Sequence, residues 1–388
     1  MIPSFASFLE NKPLYYDEID TRRIIEAYGV LKAHIRCVKA VHIVGTNGKG
    51  STGRALAHLA FKSGLRVGHF SSPHILHFNE RIWINGVCVD EASLEIAHQR
   101  LYTILGKERS EALSYFEYTT LLAFILFEEC DLIVLEAGLG GRDDATNVYP
   151  KALSLITPIG LEHQAFLGDD IGSIARAKIE SINKKAIVAP QPYEEVLVVA
   201  KAIAKEKGTQ IEFLDIAALP YLEAITTIAE QKAWSDFLVT NICVALKALD
   251  ALELTYDLKD LKSLELFGRL YPLQKNILLD VGHNLLAAQV IEKALAKETV
   301  LIYNSLDDKD YEQILKTLQP KIKKVLIIPI QTKRALDITL LQKALEKLGI
   351  EYESFDVKKL KEDEHYLVFG SFYVVEAFLK ASHIETIC

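Results

Sequence analysis

The chain is short of several things that would have decided its class at once. Its five cysteines, Cys37, Cys88, Cys130, Cys243 and Cys388, form no C-x-x-C pair. An odd count without close pairing speaks against a disulfide framework or a zinc knuckle, and leaves buried or idle thiols as the expectation. Basic residues are not in excess: the net charge is −8. Nucleic-acid binding needs clustered Lys and Arg against the phosphate backbone, so nucleic acid is excluded as the main partner. No uninterrupted apolar run reaches the ~20 residues of a membrane helix. The opening stretch, MIPSFASFLENKPLYYDEID, has neither a basic start nor a long apolar centre, so it does not read as a signal peptide. A soluble cytoplasmic protein is the expectation. Repeats and low-complexity stretches are absent as well.

What remains is a chain of 388 residues, half of them hydrophobic. At roughly 100–200 residues per domain, two domains are the natural reading. From Ala40 onward short apolar runs alternate with helical patterns. AVHIV precedes a helix over TGRALAHLAFKSG, and LRVGHFSS follows. In RIWINGVCVD, Asn85-Gly86 between two alternating runs predicts a type I′ hairpin. Helices are predicted near Ala92–Leu105, Tyr115–Cys130, Ile171–Ile182 and Glu194–Lys207, and buried strands at DLIVLEA, ALSLITP and AIVAP. A new cycle starts after LELFGRLYP, with strands at NILLDVG, TVLIYNSL, KVLIIPI and HYLVFGS, each followed by a helix. This order predicts an α/β fold. A large N-terminal P-loop-type domain with a mainly parallel sheet would span 1–266. A smaller Rossmann-like α/β domain would span 267–388.

One further lack concerns the stretch VHIVGTNGKGST, Val41 to Thr52. It reads as strand, glycine turn, lysine, hydroxyls, helix, yet it misses the Walker pattern G-x-x-x-x-G-K-[ST], because Gly50 follows Lys49. The parts of a phosphate site are nevertheless present. Gly45, Gly48 and Gly50 permit close backbone approach. The helix start offers free N–H groups to an anion, and Lys49 adds a charge. The competing reading is an ordinary glycine-rich turn. The flanking strand and helix, with Lys in the turn, favour the phosphate site.

In such sheets ligands bind at the carboxyl ends of the strands. There stand Lys49 after AVHIV, Ser71, Ser72 and Pro73 after LRVGHF, Glu136 closing DLIVLE, and Glu162 and His163 after ALSLITP. A carboxylate closing a strand beside a phosphate loop is the position that holds magnesium directly or through water. Taken singly, Glu136 also reads as a solvent-facing strand end and His163 as a satisfied loop histidine. Imidazole is an unusual magnesium ligand, since that ion prefers oxygen.

The ordered set GTNGKGST, SSPH, FNERI, YFEY, LEAGLGGRDDATN, GLEHQAFLG, GRL, LDVGHN, DDKD and FGSF, from about Val41 to Val374, resembles folylpolyglutamate synthase/dihydrofolate synthase. That family is a branch of the ATP-dependent muramyl-ligase superfamily, whose loop carries the extra glycine. The resemblance implies an ATP-dependent acid–amino-acid ligase. It would add L-glutamate to dihydropteroate, to reduced folates, or to both, through an acyl phosphate. It implies that Gly48, Lys49, Gly50 and Ser51 cradle ATP, with further ATP contacts from Asn241, Arg269, Asp280 and His283. Ser72, Glu136, His163 and Lys178 would hold one or two Mg²⁺, with Lys178 as a carbamate. Ser114, Tyr115, Phe116, Glu117, Asp143, Asp144 and Ala145 fall where the pterin substrate is held. Lys49, Glu136, His163 and Lys178 would form the catalytic group, in a monomer. The chain has AKIE around Lys178 where the family usually has EKAG, and DVGHN where DVAHN is usual. Two other readings compete. A cell-wall muramyl-peptide ligase shares the chemistry, but generally places a substrate domain ahead of the loop, and only about forty residues precede Gly45 here, too few for a typical domain. A non-enzymatic nucleotide switch would not need the second α/β domain.

Overall fold

The computed structural model describes residues 2–13 and 20–385. By their contacts they divide into two compact units. Unit 1 comprises 1–73, 78–232 and 238–264, and unit 2 comprises 74–77, 233–237 and 265–388.

Unit 1 is built on an eight-stranded sheet. Its strands are β1 (Lys39–Val44), β2 (Val67–Phe70), β3 (Ile82–Ile84), β4 (Val87–Cys88), β5 (Leu132–Glu136), β6 (Leu153–Ile156), β7 (Lys185–Val188) and β8 (Gln210–Phe213), in the order β4-β3-β2-β5-β1-β6-β7-β8. The run from β2 to β8 is parallel, and the pairings of β3 with β2 and with β4 are antiparallel. β2, β5 and β6 are buried along their whole length, and β1 along all but Lys39, because helices cover both faces. This is why they read as unbroken apolar runs rather than alternating ones. Ile133 and Leu135 enter a core with the helices Phe5–Glu10, Arg22–Leu31, Glu91–Ala112 and Tyr115–Leu126. The other face carries the helix Lys49–Lys62, packed on β2 and β5. The predicted hairpin joins β3 to β4, with φ of 50° at Asn85 and 102° at Gly86.

Unit 2 has a six-stranded sheet of β9 (Tyr271–Gln274), β10 (Ile277–Leu279), β11 (Thr299–Tyr303), β12 (Ile322–Ile327), β13 (Tyr352–Ser354) and β14 (Tyr366–Phe369), ordered β13-β12-β11-β14-β10-β9. All pairings are parallel except β9 with β10. Ile75 packs in this unit's core beside Ile277 and Val368, although it is distant in sequence.

The α/β class is therefore observed, with two mainly parallel sheets and interleaved helices. One expectation about cysteine is corrected. Cys88 is disulfide-bonded rather than idle, whereas Cys37, Cys130 and Cys243 are free thiols. Spacing alone carried no signal for that bond. Cys388 lies outside the described residues.

Candidate active site

β1 delivers the chain into the loop Gly45–Gly48. The N–H groups of Thr46 and Asn47 both donate to the Pro158 carbonyl, at 2.9 and 3.1 Å, and Thr46 Oγ1 donates to Gly160 O at 3.1 Å. The loop is thus tied to the segment after β6. Gly48 sits at φ 86°, where a side chain is strained, and a Cβ there would meet Asn241 Oδ1 at 2.6 Å. That conformation starts the helix at Lys49, three residues earlier than the periodicity of TGRALAHLAF predicts. No side chain caps this helix start. Its first N–H groups lack intrahelical partners and face an incoming anion.

Lys49 Nζ donates to the carbonyls of Gly45 and Thr46, both at 3.2 Å, and lies 3.9 Å from Glu136 Oε1. Glu136 is buried at the end of β5, and its Oε2 accepts from the Ser72 N–H at 3.4 Å. Three strand ends, β1, β5 and β2, therefore place Lys49, Glu136 and Ser72 together. Lys178, in the helix Ile171–Ile179, is buried and donates to Gly45 O at 2.9 Å. Burial first, then the neighbouring Lys49 charge, lowers its pKa to about 7, against the pull of Glu162 and Asp144. His163 takes φ 54° ahead of a short helix, Gln164–Leu167, and its Nε2 lies 3.8 Å from the Glu162 carboxylate. Among the described residues no three or more His, Cys, Asp or Glu side chains gather in a metal-holding group. The expected ligand set is a hydroxyl, one carboxylate, one imidazole and an amine, and does not have the form of a carboxylate cluster.

Asn241 comes from the helix Asp236–Ala251, far along the chain, and its Nδ2 donates to Ser51 Oγ at 2.8 Å. Asn241 Oδ1 and Thr52 Oγ1 are buried beside the loop without hydrogen-bond partners. Native interiors rarely leave such atoms unpaired. Their presence at an uncapped helix start next to Lys49 fits a phosphate-bearing ligand.

The residues matched to pterin binding occupy two motifs that the fold joins. Phe116 lies 5.7 Å from Phe70, ring to ring, and a Cβ at Gly138 would meet its ring at 2.6 Å. Asp144 is buried and accepts from the N–H groups of Gly138, Leu139 and Thr146, each at 2.9 Å, fixing the loop after β5. Burial raises its pKa despite these bonds. Ala145 is buried in the next turn. Ser114 caps the helix Tyr115–Leu126 in a box with Glu117, whose carboxylate accepts from the Ser114 N–H at 2.7 Å. The Arg81 guanidinium lies 5.4 Å from the centre of the Tyr115 ring. Asp143 is turned toward Arg142 at 2.8 Å.

In unit 2, Asp280 closes β10 and holds two backbone groups, Gly282 N at 2.7 Å and Leu270 N at 2.9 Å. Burial raises its pKa, and Arg269 opposes the rise. Arg269 donates to Gly268 O at 3.0 Å, and His283 Nδ1 lies 3.1 Å from Val281 O.

The residues that sequence reasoning passed over are Glu162 and Arg54. Glu162 was visible at a strand end and was set aside for His163. Arg54 had no motif signal, because its setting depends on β3.

No family model matches the chain. It is 32% identical over 370 residues to a dihydrofolate synthase/folylpolyglutamate synthase of Buchnera aphidicola subsp. Schizaphis graminum, covering 86% of each chain. Helicobacter pylori folylpolyglutamate synthetase is similar in structure, with a TM-score of 0.79, 40% identity and 97% of each chain covered. A bifunctional folylpolyglutamate synthase/dihydrofolate synthase with Mn, AMPPNP and L-glutamate bound matches with a TM-score of 0.82 and 27% identity, covering 98% of this chain and 97% of that one. With the loop geometry, this degree of identity over most of the length makes the chain a member of the dihydrofolate synthase/folylpolyglutamate synthase family.

Proposed function

We propose that the protein is an ATP-dependent ligase that adds L-glutamate to dihydropteroate, to the γ-carboxylate of folates, or to both. The observation that carries this is Lys49, at an uncapped helix start, 3.9 Å from the strand-end carboxylate Glu136. The similar structure holding Mn, AMPPNP and L-glutamate supports it.

A free carboxylate is a poor electrophile, because its leaving group would be oxide. In the proposed reaction an acceptor carboxylate oxygen attacks the γ-phosphorus of ATP, and the bond to the ADP oxygen breaks. The acyl phosphate formed then accepts the α-amine of glutamate at its carbonyl carbon. Phosphate departs with the C–O bond electrons, and the nitrogen loses a proton. Lys49 and the N–H groups of the loop Gly48–Ser51 offset the phosphate charge. Asn241 fixes the Ser51 hydroxyl, and Arg269, Asp280 and His283 are read as further ATP contacts. Holding acyl phosphate and amine side by side can remove up to ~7–11 kcal/mol of barrier. Excluding water protects the acyl phosphate from hydrolysis. Phe116 and the loop fixed by Asp144 supply an apolar wall for a pteridine ring, with Ser114, Tyr115, Glu117, Asp143 and Ala145 around it.

Ser72, Glu136 and His163 would hold a divalent cation, with Lys178 as a further ligand once carbamylated. A bound Mg²⁺ there would supply charge neutralisation on the phosphoryl oxygens. A pKa of about 7 leaves much of the Lys178 amine neutral, the form that adds carbon dioxide. The span 1–266 is read as the ATP-binding catalytic domain and 267–388 as the C-terminal ligase domain, acting as a cytoplasmic monomer. No helix among the described residues is long and apolar enough to cross a membrane.

The test is ADP formation with L-glutamate and each acceptor supplied separately, dihydropteroate and a reduced folate. ADP is expected only when glutamate and an acceptor are both present. Lys49→Ala is expected to lower kcat by several orders of magnitude. Near-normal turnover in that variant, or ADP release indifferent to glutamate, would refute the reading.

A further inference from the structure

The helix Lys49–Lys62 carries a second cation on the face turned toward β3. Arg54 and Phe61, seven residues apart, bracket the Trp83 ring. The Arg54 guanidinium carbon lies 4.8 Å from the ring centre, and Phe61 meets the same ring edge-on at 5.9 Å. Trp83 pairs with His69, and His69 with Val134, two residues before Glu136. Side chains two apart on a strand share a face, so Trp83, His69 and Glu136 all lie beneath this helix. The helix sits close there: a Cβ at Gly53 would meet His69 Nε2 at 2.5 Å.

No acceptor in this setting takes the guanidinium. Among the described residues Arg54 has no hydrogen bond and no ion pair, and the carboxylate that acts on it is Glu136. Both His69 ring nitrogens are buried without partners, and burial together with Arg54 holds the imidazole neutral. Glu136 already faces Lys49 and the Ser72 N–H. Burial lowers the Arg54 pKa to about 10, so it stays charged at neutral pH. Glu136 is thus shared between Lys49 and Arg54. A half-buried guanidinium held over an aromatic face, with no acceptor from the protein, keeps its donors for an incoming anion.

We propose that Arg54 is an oxyanion-binding residue of this site, receiving a substrate carboxylate or phosphoryl oxygen on the β2 side of Glu136 while Lys49 serves the β1 side. This rests on the ligase reading for the identity of the substrates. The acceptor carboxylate, before and after phosphorylation, is the expected source. Arg54 lies over β2 and β3, whereas the phosphate loop is tied to the segment after β6.

Two measurements on the full chain decide it. The first compares steady-state kinetics of Arg54→Met and Arg54→Lys with the parent protein. Arg54→Met is expected to lower kcat/KM for the acceptor about 10- to 150-fold, the scale of a hydrogen bond to a charged group, with the ADP dissociation constant within about threefold. Arg54→Lys restores part of the loss through charge without the fork. Tm is expected to stay close to the parent's in Arg54→Met, because no hydrogen bond or ion pair is lost, whereas a purely structural arginine would leave a lower Tm. An ADP dissociation constant that rises by the same factor would assign the oxyanion to the nucleotide. Values within about threefold for every substrate would overturn the proposal. The second measurement needs no turnover. In Trp234→Phe, Trp83 is the sole tryptophan. Inorganic phosphate is expected to change its fluorescence saturably, and Arg54→Met to abolish the change; the same titration curve in both would overturn the proposal. Absence of glutamate-dependent ADP formation in the parent protein would refute the ligase reading alone, and the phosphate titration would still decide on Arg54.

Discussion

Lys12 is a lysine with a positional duty that no motif announces. Its ammonium donates to the carbonyls of Ser110, Glu111 and Leu113, at 2.5, 3.2 and 2.6 Å, with the Phe8 ring 4.6 Å away. These carbonyls end the helix Glu91–Ala112 just ahead of Ser114, so Lys12 closes a helix terminus where a cation is favoured. Burial lowers its pKa to about 8, against the attraction of Glu117 and Glu111. The folded value lies below the unfolded one, near 10.5. Between these two values the unfolded chain binds more proton, so this group's contribution to stability rises with pH across that window and is constant below it. Lys12→Met loses the three bonds at every pH and also loses the rise. The stability gap between parent and variant, from urea unfolding at pH 7.5 and 9.5, is expected to widen at the higher pH. A gap that stays constant would show that Lys12 does not titrate there. Lys151, whose pKa burial also lowers to about 8, and Lys178 titrate in both proteins and cancel from the comparison.

At the scale of the element, the helix Tyr115–Leu126 starts with S-x-x-E, and Ser114 and Glu117 form the reciprocal cap. The family resemblance assigns the same two residues to pterin binding. Ser114→Ala separates the roles. Loss of the cap alone is expected to cost about 1 kcal/mol of stability in denaturant unfolding with an unchanged acceptor KM. A raised KM on top of that would give Ser114 a substrate contact as well. Other elements show which signals the sequence carries. β1, β5 and β6 were legible because both their faces are covered; the predicted runs contain β5 and β6, and AVHIV misses only Lys39 of β1. β13 has three residues, none of them buried, so it left no apolar run to read. The helix predicted to end at Leu105 breaks at Gly106, φ 74°, and then resumes to Ala112. Periodicity found the break but not the second segment. At the site, Lys49 and Glu136 were legible because strand ends converge by topology. Arg54 was not, since its environment is made by Trp83 on an antiparallel strand that periodicity does not orient.

At the scale of the whole molecule, the two units are not two stretches of sequence. Residues 74–77 and 233–237 leave the first unit's chain and join the second unit's contacts. Ile75 shows the cause, an apolar side chain buried with Val281 and Val374, with Leu76 packed against the same cluster. Composition cannot reveal such a detour, because a four-residue segment carries no periodicity. The division also bears on how the protein unfolds. Two compact units with separate cores need not melt in one transition, so calorimetry of the full chain should be read for more than one. A ligand that binds only the folded form stabilises by mass action, by ~2.7 kcal/mol at a hundred times its dissociation constant. ADP with Mg²⁺ is expected to raise the transition of the unit that carries Lys49, Ser51 and Asn241. Lys49→Ala is expected to remove most of that increase while leaving the ligand-free thermogram close to the parent's, since Lys49 bonds only to loop carbonyls and lies 3.9 Å from Glu136. If ADP stabilises the variant as strongly as the parent, the nucleotide's phosphates do not rest on this loop, and the assignment of the helix start at Lys49 fails with it.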